Sequence, residues 1–346
     1  MAVLAGFAAA LVTVLGLTPG VGLLARRMGF LDRPDRRKIH VQPVPLGGGV
    51  AIVAGVIAGV LAAVFAHVLA EPAPGGVAAL PSRYVLAVLG GLGWAMAIGL
   101  RDDRKPLSPA WKLAGQLAAA AILILGSGRP EPSALHGLGI PIAFVGVVGL
   151  MNACNFLDNM DGILSGIALV CASAFCVVAA ADATAVAGAA AALAAATAGA
   201  TAGFLAYNFA PARIFMGDAG SLAIGFLLAA IALGLAPPDL QIQPGFGLLL
   251  ILGYPLFDLA FVTITRLMDH RKVWTPGKDH STHRLHRLVV SPRRTALAVY
   301  GMAAMMAGAG VAVCLRPGPG SALLALLSGA MLCGVGVRLR RVPPVG

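Results

Sequence analysis

The chain has 346 residues, of which 59% are hydrophobic and only 11% are charged. Soluble domains carry about 25% charged residues, so this composition excludes an ordinary soluble enzyme, a disordered chain and a coiled coil, and favours a protein embedded in lipid. In a soluble protein, the net charge of +11 would indicate a nucleic-acid partner. Every basic stretch here belongs to a short loop, so we expect no nucleic-acid partner and instead basic loops on the cytoplasmic side of a membrane.

Apolar segments recur along the whole chain. About 20 mostly apolar residues cross a bilayer core, and eleven segments approach or reach this length, the fourth being short. We therefore predict an all-α polytopic membrane protein with ten or eleven transmembrane helices, forming a single domain over residues 1–346. The predicted spans cover residues 2–24, 46–69, 83–100, 112–126, 139–157, 162–181, 183–206, 219–236, 245–266, 295–315 and 321–337.

Basic residues are divided unequally between the two sides of this predicted bundle. With eleven spans, 22 of the 25 Lys and Arg residues fall on one side, and the exceptions are Arg83, Arg129 and Arg316. Loops rich in Lys and Arg stay in the cytoplasm, which predicts an N-terminus outside and a C-terminus inside. Residues 295–346 then hold the last two spans and a basic cytoplasmic tail.

The first candidate site is the pair Asp102 and Asp103 at the end of the third predicted span, in the segment LRDDRK. Adjacent carboxylates repel each other unless a cation lies near them. The basic residues of the same segment would meet this need in a purely structural arrangement. A divalent metal or a phosphate-handling role would meet it in an active site. Lys112 opens the next span and is close enough in sequence to reach the same region.

The second candidate site is the segment NFLDNMDG, which contains Asn155, Asp158 and Asp161. On a helical turn, this spacing would place the three side chains on one face. Carboxylate and amide oxygens at this spacing suit Mg²⁺, which also binds substrate phosphates. The alternative is a polar helix cap followed by a turn at Gly162. A cap accounts for one carboxylate but not for two carboxylates and an Asn.

The third candidate site is the short segment NFAPARIFMGDAGS, residues 208–221, between the seventh and eighth spans. It contributes Asn208 and Asp218. Asp218 lies where a helix is expected to begin, so it is either an N-cap alone or a metal ligand at an anion-collecting helix N-terminus. The local sequence leaves both interpretations open.

Two basic loops complete the set. In the loop 269–294, His280, His283 and His286 recur every three residues beside Arg284. The loop has no cysteine and no nearby carboxylate pair to complete a zinc site. An anion-binding surface is favoured, with a solvated loop beside anionic lipid as the alternative. The loop 32–49 contains Lys38 and His40 before three glycines that only weakly resemble a phosphate cradle, and the sequence has no P-loop motif.

These five clusters all fall on the predicted cytoplasmic side. They combine carboxylates that suit Mg²⁺ with Lys, Arg and His side chains that suit phosphates, which is typical of phosphoryl chemistry at a membrane surface. The alternative function is a multi-pass transporter or lipid flippase with a cytoplasmic phosphate-binding face. A transporter needs charges along a path across the bilayer, whereas these carboxylates cluster on one side.

The clusters resemble those of the polyprenyl-phosphate N-acetylhexosamine-1-phosphate transferases. These are the bacterial enzymes that initiate enterobacterial common antigen and teichoic acid, and they are relatives of the phospho-muramoyl-pentapeptide transferase. Each matching segment alone is a weak signal, but together they are specific, because they occur in family order between about residues 29 and 295. The segments are DRPDRRKIHVQPVPLGGG, RDDRKPLSPAWKLAGQ, NFLDNMDG, NFAPARIFMGDAGSLAIGF and DHSTHRL.

The resemblance implies a reaction. In it, a sugar 1-phosphate is transferred from a UDP-sugar to membrane polyprenyl phosphate, with release of UMP, as the first lipid-linked step of a cell-envelope glycan pathway. The resemblance also implies Mg²⁺ as cofactor, with Mn²⁺ as a substitute, and a multi-pass location in the bacterial cytoplasmic membrane. The expected partners are the two substrates and the lipid bilayer, with a homodimer left open.

The resemblance also implies roles for individual residues. By the family pattern, Asp102 and Asp103 lie near the acceptor phosphate, Asp158 and Asp161 lie on the nucleotide side, and Asp218 is the Mg²⁺ ligand. Lys112 is expected to contact phosphate within the catalytic group. The candidate substrate-binding residues are Asn155, Asn208, His280, His283, Arg284, Lys38 and His40.

One position departs from the family pattern. His280 and His283 match the outer histidines of a His-x-His-His motif, but the third position of that motif is Thr282. The His triplet expected of the muramoyl-pentapeptide enzymes is therefore missing, and the N-acetylhexosamine branch is favoured. We expect Thr282 to affect activity or the choice of donor sugar.

Overall fold

The computed structural model describes residues 1–33, 42–70, 82–129, 137–182, 184–237, 242–273 and 277–343. These residues form a helical bundle with one short antiparallel hairpin of strands β1 (Leu31–Asp32) and β2 (Val44–Pro45), and the predicted all-α class is confirmed. The helices are α1 (Ala2–Arg27), α2 (Gly48–Ala70), α3 (Ser82–Arg104), α4 (Pro109–Ser127), α5 (Gly139–Leu157), α6 (Ile163–Ala179), α7 (Ala185–Asn208), α8 (Gly217–Leu235), α9 (Ile242–Ile251), α10 (Gly253–Met268), α11 (Ser281–Val289), α12 (Pro292–Leu315) and α13 (Pro319–Arg340).

The helices follow the predicted spans closely. Within the described ranges, nine helices are long and apolar enough to cross a membrane, and the pair α9–α10 would make a tenth. The sixth predicted span is α6, which has 17 residues and is shorter than each of those nine helices. The multi-pass membrane class is therefore supported, while the number of crossings and the sidedness stay predictions.

The ninth predicted span, residues 245–266, is wrong as a continuous helix. The chain bends by 74° between α9 and α10, at Leu252. Pro255 has no backbone N–H, so it cannot donate to the carbonyl of Ile251 four residues earlier. The Sγ of Cys171 donates to that carbonyl instead, at 3.2 Å, so the freed backbone group is satisfied inside the protein.

Helix α8 lies at the centre of the bundle. Most of its 19 residues are buried, and it packs against α2, α3, α5 and α7. Its first turn is approached closely by glycines on two neighbours: a Cβ on Gly99 would lie 2.3 Å from the Ala219 nitrogen, and one on Gly49 would lie 2.3 Å from the Gly220 nitrogen. Small residues thus let three backbones meet where α8 begins.

The other end of the bundle is held by two of the three basic residues predicted to lie outside. The Nε of Arg83 donates to the Gly126 carbonyl at 2.6 Å, near the end of α4. Arg129 donates to the carbonyls of Leu233 and Ala236 at the end of α8. Guanidinium groups at helix C-termini offset the negative end of the helix dipole. Because α8 begins at the other end, Arg129 and Asp218 lie at opposite ends of the bundle.

Candidate active site

Lys112 joins two of the predicted site carboxylates. Its Nζ lies 2.9 Å from Asp102 Oδ2 and forms a short ion pair with Asp218 Oδ2. It also donates to Asn155 Oδ1 at 3.1 Å. Three residues, from α3, α5 and α8, therefore meet at the Lys112 ammonium of α4, so the separate segments come together.

Asp103 binds different partners from those of Asp102. Its Oδ1 accepts from the Asp218 backbone N–H at 2.8 Å, and its Oδ2 accepts from the Ala219 N–H at 3.1 Å. These are unpaired donors of the first turn of α8, so Asp103 caps this helix from α3. Gly217 has φ +68°, a backbone conformation that favours glycine. A Cβ at this position would also lie 2.5 Å from Asp103 Oδ2, so there is no space for a side chain.

The cap on α8 argues against one of the two interpretations of Asp218, the N-cap, while its role as a metal ligand stays a prediction. Because Asp103 supplies the cap, the Asp218 side chain is not the helix cap and instead faces Lys112 and Asn155. The Nδ2 of Asn155 donates to Asp218 Oδ1 at 2.8 Å and to Ser221 Oγ at 2.9 Å. Both carboxylate oxygens of Asp218 thus point to polar partners at the centre of the cluster.

Asp158 and Asp161 do not continue a helical face, contrary to the expectation from their spacing. Helix α5 ends at Leu157, and the turn before α6 passes through Gly162 at φ +75°. Burial raises the pKa of Asp158 well above its usual 3.8, and the carboxylates of Asp218 and Asp103, followed by Asp161, raise it further. The negative charges of the cluster therefore act on Asp158, which lies at the C-terminal end of α5.

Asp161 and Asn208 connect two motifs of the site. Asp161 Oδ2 accepts from the Ala212 N–H at 2.8 Å. The amide of Asn208 is buried: its Oδ1 accepts from the Gly162 N–H at 3.2 Å and from Ser165 Oγ at 2.9 Å. In this structure Asn208 therefore braces the 158–162 turn, and its contact with substrate stays a prediction.

The histidine loop is held by a carboxylate that the sequence reasoning missed. Asp258, fully buried on α10, accepts from the Ser281 N–H at 2.9 Å and lies 2.9 Å from the Nδ1 of His280. The available signal was the single carboxylate inside the predicted span 245–266, since a charged group at membrane depth is costly unless it is paired. Asp258 caps α11 and orients the His280 ring.

His283 is buried beside His280, with 6.1 Å between the ring centroids. Burial, followed by the charge of His280, lowers the pKa of His283 from 6.5 to about 4. His283 is therefore neutral at pH 7 in the absence of substrate. Thr282 Oγ1 donates to Asn159 Oδ1 at 2.8 Å, which joins α11 to the 158–162 turn.

Some candidate residues lie away from the carboxylate cluster. The Nη1 of Arg284 donates to the Val342 carbonyl at 2.7 Å and to two further carbonyls at the end of α13. The N–H groups of Gly48 and Gly49 donate to the carbonyls of Phe215 and Met216 at 3.0 Å, so these glycines are not a free phosphate cradle. Lys38 and His40 lie outside the described residues.

The cluster offers oxygen ligands of the kind that Mg²⁺ prefers. Within the described ranges, no three carboxylate, imidazole or thiol groups converge as a complete metal site. Asp102 and Asp218 nevertheless each direct one oxygen at the same cation, Lys112 Nζ. Mg²⁺ is commonly held by one or two carboxylates plus substrate phosphates, so this donor set fits it.

Comparison with known proteins identifies relatives for nearly the whole chain. A sequence profile described as glycosyl transferase family 4 matches residues 85–236. The chain is 31% identical over 308 residues to a probable undecaprenyl-phosphate N-acetylglucosaminyl 1-phosphate transferase of Bacillus subtilis, covering 86% of this chain and 81% of that protein.

Two further relatives carry similar names. A decaprenyl-phosphate N-acetylglucosaminephosphotransferase of Mycobacterium tuberculosis is 31% identical over 334 residues, covering 86% of this chain and 78% of that protein. An undecaprenyl-phosphate alpha-N-acetylglucosaminyl 1-phosphate transferase of Escherichia coli is 26% identical over 300 residues, covering 83% of this chain and 77% of the relative. The matched profile runs from α3 to α8, the helices that carry the carboxylate cluster, and the similarity to the three relatives covers 77–81% of their lengths. The chain therefore belongs to the polyprenyl-phosphate N-acetylhexosamine-1-phosphate transferases of glycosyl transferase family 4.

Proposed function

We propose that the protein transfers N-acetylglucosamine 1-phosphate from UDP-N-acetylglucosamine to membrane polyprenyl phosphate and releases UMP. The observation that carries this proposal is the meeting of Asp102 and Asp218 at the Lys112 ammonium. Such a site places a fixed ammonium beside carboxylates that suit a divalent metal, and both cations would face bound phosphates. The names of the relatives support the polyprenyl phosphate acceptor and the sugar.

The proposed reaction joins two anions. An oxygen of the acceptor phosphate forms a bond to the phosphorus that carries the sugar, and the bond from this phosphorus to the bridging oxygen breaks, so that UMP leaves with that oxygen. The second pKa of a phosphate monoester is about 6, so the acceptor is largely dianionic at neutral pH. Little base strength is needed, and a carboxylate of the Asp102–Asp103 pair takes any remaining proton.

The main contribution of the protein is then positioning and charge neutralisation. The Lys112 ammonium sits among Asp102, Asp218 and Asn155, whose hydrogen bonds fix it in place. A fixed cation reduces the repulsion between the two phosphates and stabilises charge that develops on the leaving group. His280 and neutral His283, held by α11, would add hydrogen bonds from the other side.

We further propose Mg²⁺ as the cofactor, with Mn²⁺ as a substitute, held by Asp218 together with Asp102. The ion would neutralise phosphate charge and orient the donor diphosphate. Asn155 would keep the Asp218 carboxylate in place through its 2.8 Å hydrogen bond.

A direct assay tests the proposed function. Membranes containing the protein would be incubated with labelled UDP-N-acetylglucosamine and undecaprenyl phosphate, while UMP and labelled lipid are measured with and without Mg²⁺. We expect both products in equal amounts, and their loss after EDTA treatment. Movement of lipid across the bilayer without release of UMP would favour the transporter or flippase instead.

Replacing Asp258 by Asn is expected to lower kcat by roughly 10- to 100-fold, because a hydrogen bond to a charged group is worth about 1.5–3 kcal/mol. An amide offers one acceptor oxygen where Asp258 serves both the His280 ring and the Ser281 N–H. The rate would be measured by UMP release. The control is the pair of variants His280→Ala and Asp258→Asn/His280→Ala. If Asp258 acts through His280, the double variant is no slower than His280→Ala, whereas multiplied losses would show an independent role.

Replacing Thr282 by His restores the family residue and is expected to change the rate or the donor preference. Thr282 is buried, and loss of its hydrogen bond to Asn159 should alter the rate by roughly 3- to 10-fold. The measurement is kcat/KM for UDP-N-acetylglucosamine and for UDP-N-acetylgalactosamine. Thr282→Val removes the hydroxyl and keeps the shape, and serves as control. Unchanged values in both variants would place Thr282 outside the site.

A further inference from the structure

A cavity of about 330 Å³ lies beside the segment that leads to Asp218. Its volume is within the range of about 300–1,000 Å³ that small-ligand sites occupy. Among the described residues, its lining contains two arginines and no carboxylate, so it is distinct from the carboxylate cluster. The lining residues are Ala206, Tyr207, Phe209, Ala210, Pro211, Arg213 and Arg293.

The walls of this cavity are fixed by hydrogen bonds. The Tyr207 hydroxyl donates to the Leu15 carbonyl at 2.9 Å. Pro19 in α1 has no N–H for that carbonyl, so Tyr207 satisfies a group that would otherwise be unpaired. On the opposite wall, the Nε of Arg293 donates to the Ala210 carbonyl at 2.8 Å. These hydrogen bonds hold two of the walls in place, so the shape of the cavity is preformed.

The cavity lies at the ends of two candidate membrane spans, where lipid headgroups are expected. Tyr207 is in the last turn of α7 and Arg293 is in the first turn of α12, and both helices are candidate membrane spans. Arg213 and Arg293 are both exposed, and so is Leu297, one turn further along α12. Basic pockets between helices at this level suit phosphate headgroups, while an exposed Leu suits an acyl chain.

We propose that this cavity binds the phosphate group of an anionic phospholipid, with Arg213 and Arg293 as its cationic partners. The adjoining apolar surface favours a lipid over a free phosphate ion. Ala212 lies in the chain between the lining residues Pro211 and Arg213, and its N–H donates to Asp161 Oδ2. A bound lipid would therefore stabilise the segment that connects the cavity to the carboxylate cluster. The proposal does not depend on the transferase reaction, because its test measures binding.

The experiment uses the purified full-length protein in a neutral detergent. Phosphatidylglycerol, phosphatidylcholine, inorganic phosphate and UMP would be titrated separately, and the apparent affinity would be taken from the concentration dependence of Tm. Phosphatidylglycerol is expected to raise Tm, and phosphatidylcholine is not. Removing one arginine should weaken phosphatidylglycerol binding by roughly fivefold, the equivalent of about 1 kcal/mol per basic residue near an anionic lipid.

The variants are Arg213→Gln and Arg293→Gln, with Arg294→Gln as the matched control. Arg294 is exposed, adjacent to Arg293 and outside the lining, so its replacement removes the same charge. Arg213→Gln, in an exposed loop, keeps the test valid if Arg293→Gln does not fold. The proposal is supported if affinity falls in the two cavity variants and not in Arg294→Gln. Equal losses in all three variants, or an equal Tm increase with inorganic phosphate or UMP that depends on Arg213, would overturn it.

Discussion

Replacing Asp218 by Asn is expected to lower the rate of UMP release by at least roughly 10²- to 10³-fold, the usual cost of removing one preorganised electrostatic group. One oxygen of Asp218 pairs with Lys112, and the other accepts from Asn155 at 2.8 Å. An amide keeps the shape of the side chain but loses its charge and one acceptor. The proposed Mg²⁺ would lose its main ligand in the same step.

The same substitution should leave the protein folded and membrane-inserted. Asp103 caps α8 through the backbone N–H of residue 218, not through the side chain, and most of α8 remains buried among its neighbours. Insertion would be checked by the amount of protein in washed membranes and by Tm in detergent. Asp269→Asn is the matched control, because Asp269 is an exposed carboxylate that pairs with Arg340 at 3.2 Å. Activity of Asp218→Asn within about tenfold of the wild type would contradict the assignment.

The sequence predicts the helical segments well because their signal is local. A run of about 20 apolar residues identifies a span, and each predicted span coincides with a helix or helix pair. The break between α9 and α10 has a local cause as well, since Pro255 lies near the middle of the predicted span. The apolar composition of the segment does not indicate this break. A proline is tolerated in a membrane helix when another group satisfies the freed carbonyl, as Cys171 does here.

The site is only partly predictable, because the roles of its residues depend on contacts between distant segments. The motif pattern identifies Asp102 and Asp103 as a pair, yet Asp102 binds Lys112 while Asp103 caps α8, which begins more than a hundred residues later. To predict which of the two carboxylates takes which role, one must know how α3 is aligned along α8. Arg284 is a similar case, since its guanidinium binds carbonyls at the end of α13, which no local pattern indicates.

A second large effect is expected at the buried ion pair between Arg266 and Asp279. Both side chains are almost fully buried, and Asp279 accepts two hydrogen bonds from Arg266, at 2.9 Å from Nε and 2.7 Å from Nη2. The guanidinium also lies over the Phe156 ring, 5.7 Å from its centroid. In the sequence, Phe156 follows Asn155 and precedes the 158–162 turn. The pair therefore connects α10 and the histidine loop to the carboxylate cluster.

Arg266→Met is expected to cost about 3–5 kcal/mol of stability, because it leaves the Asp279 carboxylate buried with only partial compensation from Arg271. This should lower Tm by roughly 5–10 °C. The double variant Arg266→Met/Asp279→Leu removes both charges and is expected to recover much of the loss, since an apolar pair of similar volume is often as stable as a buried ion pair. A double variant as unstable as the single one would show that packing of the guanidinium, and not the unpaired charge, dominates.

The pH dependence gives an independent check on the same pair. Burial alone would raise the pKa of Asp279, but hydrogen bonds and charge from Arg266 lower it from 3.8 to about 2. A carboxyl group with a lowered pKa stabilises the folded protein above its unfolded-state value of about 4, and this contribution is lost as the pH falls towards 2. The wild type should therefore lose Tm over this acid range faster than Arg266→Met/Asp279→Leu, which has no carboxyl group at this position. Parallel Tm curves for the two proteins would mean that the pKa of Asp279 is the same in the folded and the unfolded protein, which would contradict the lowered value.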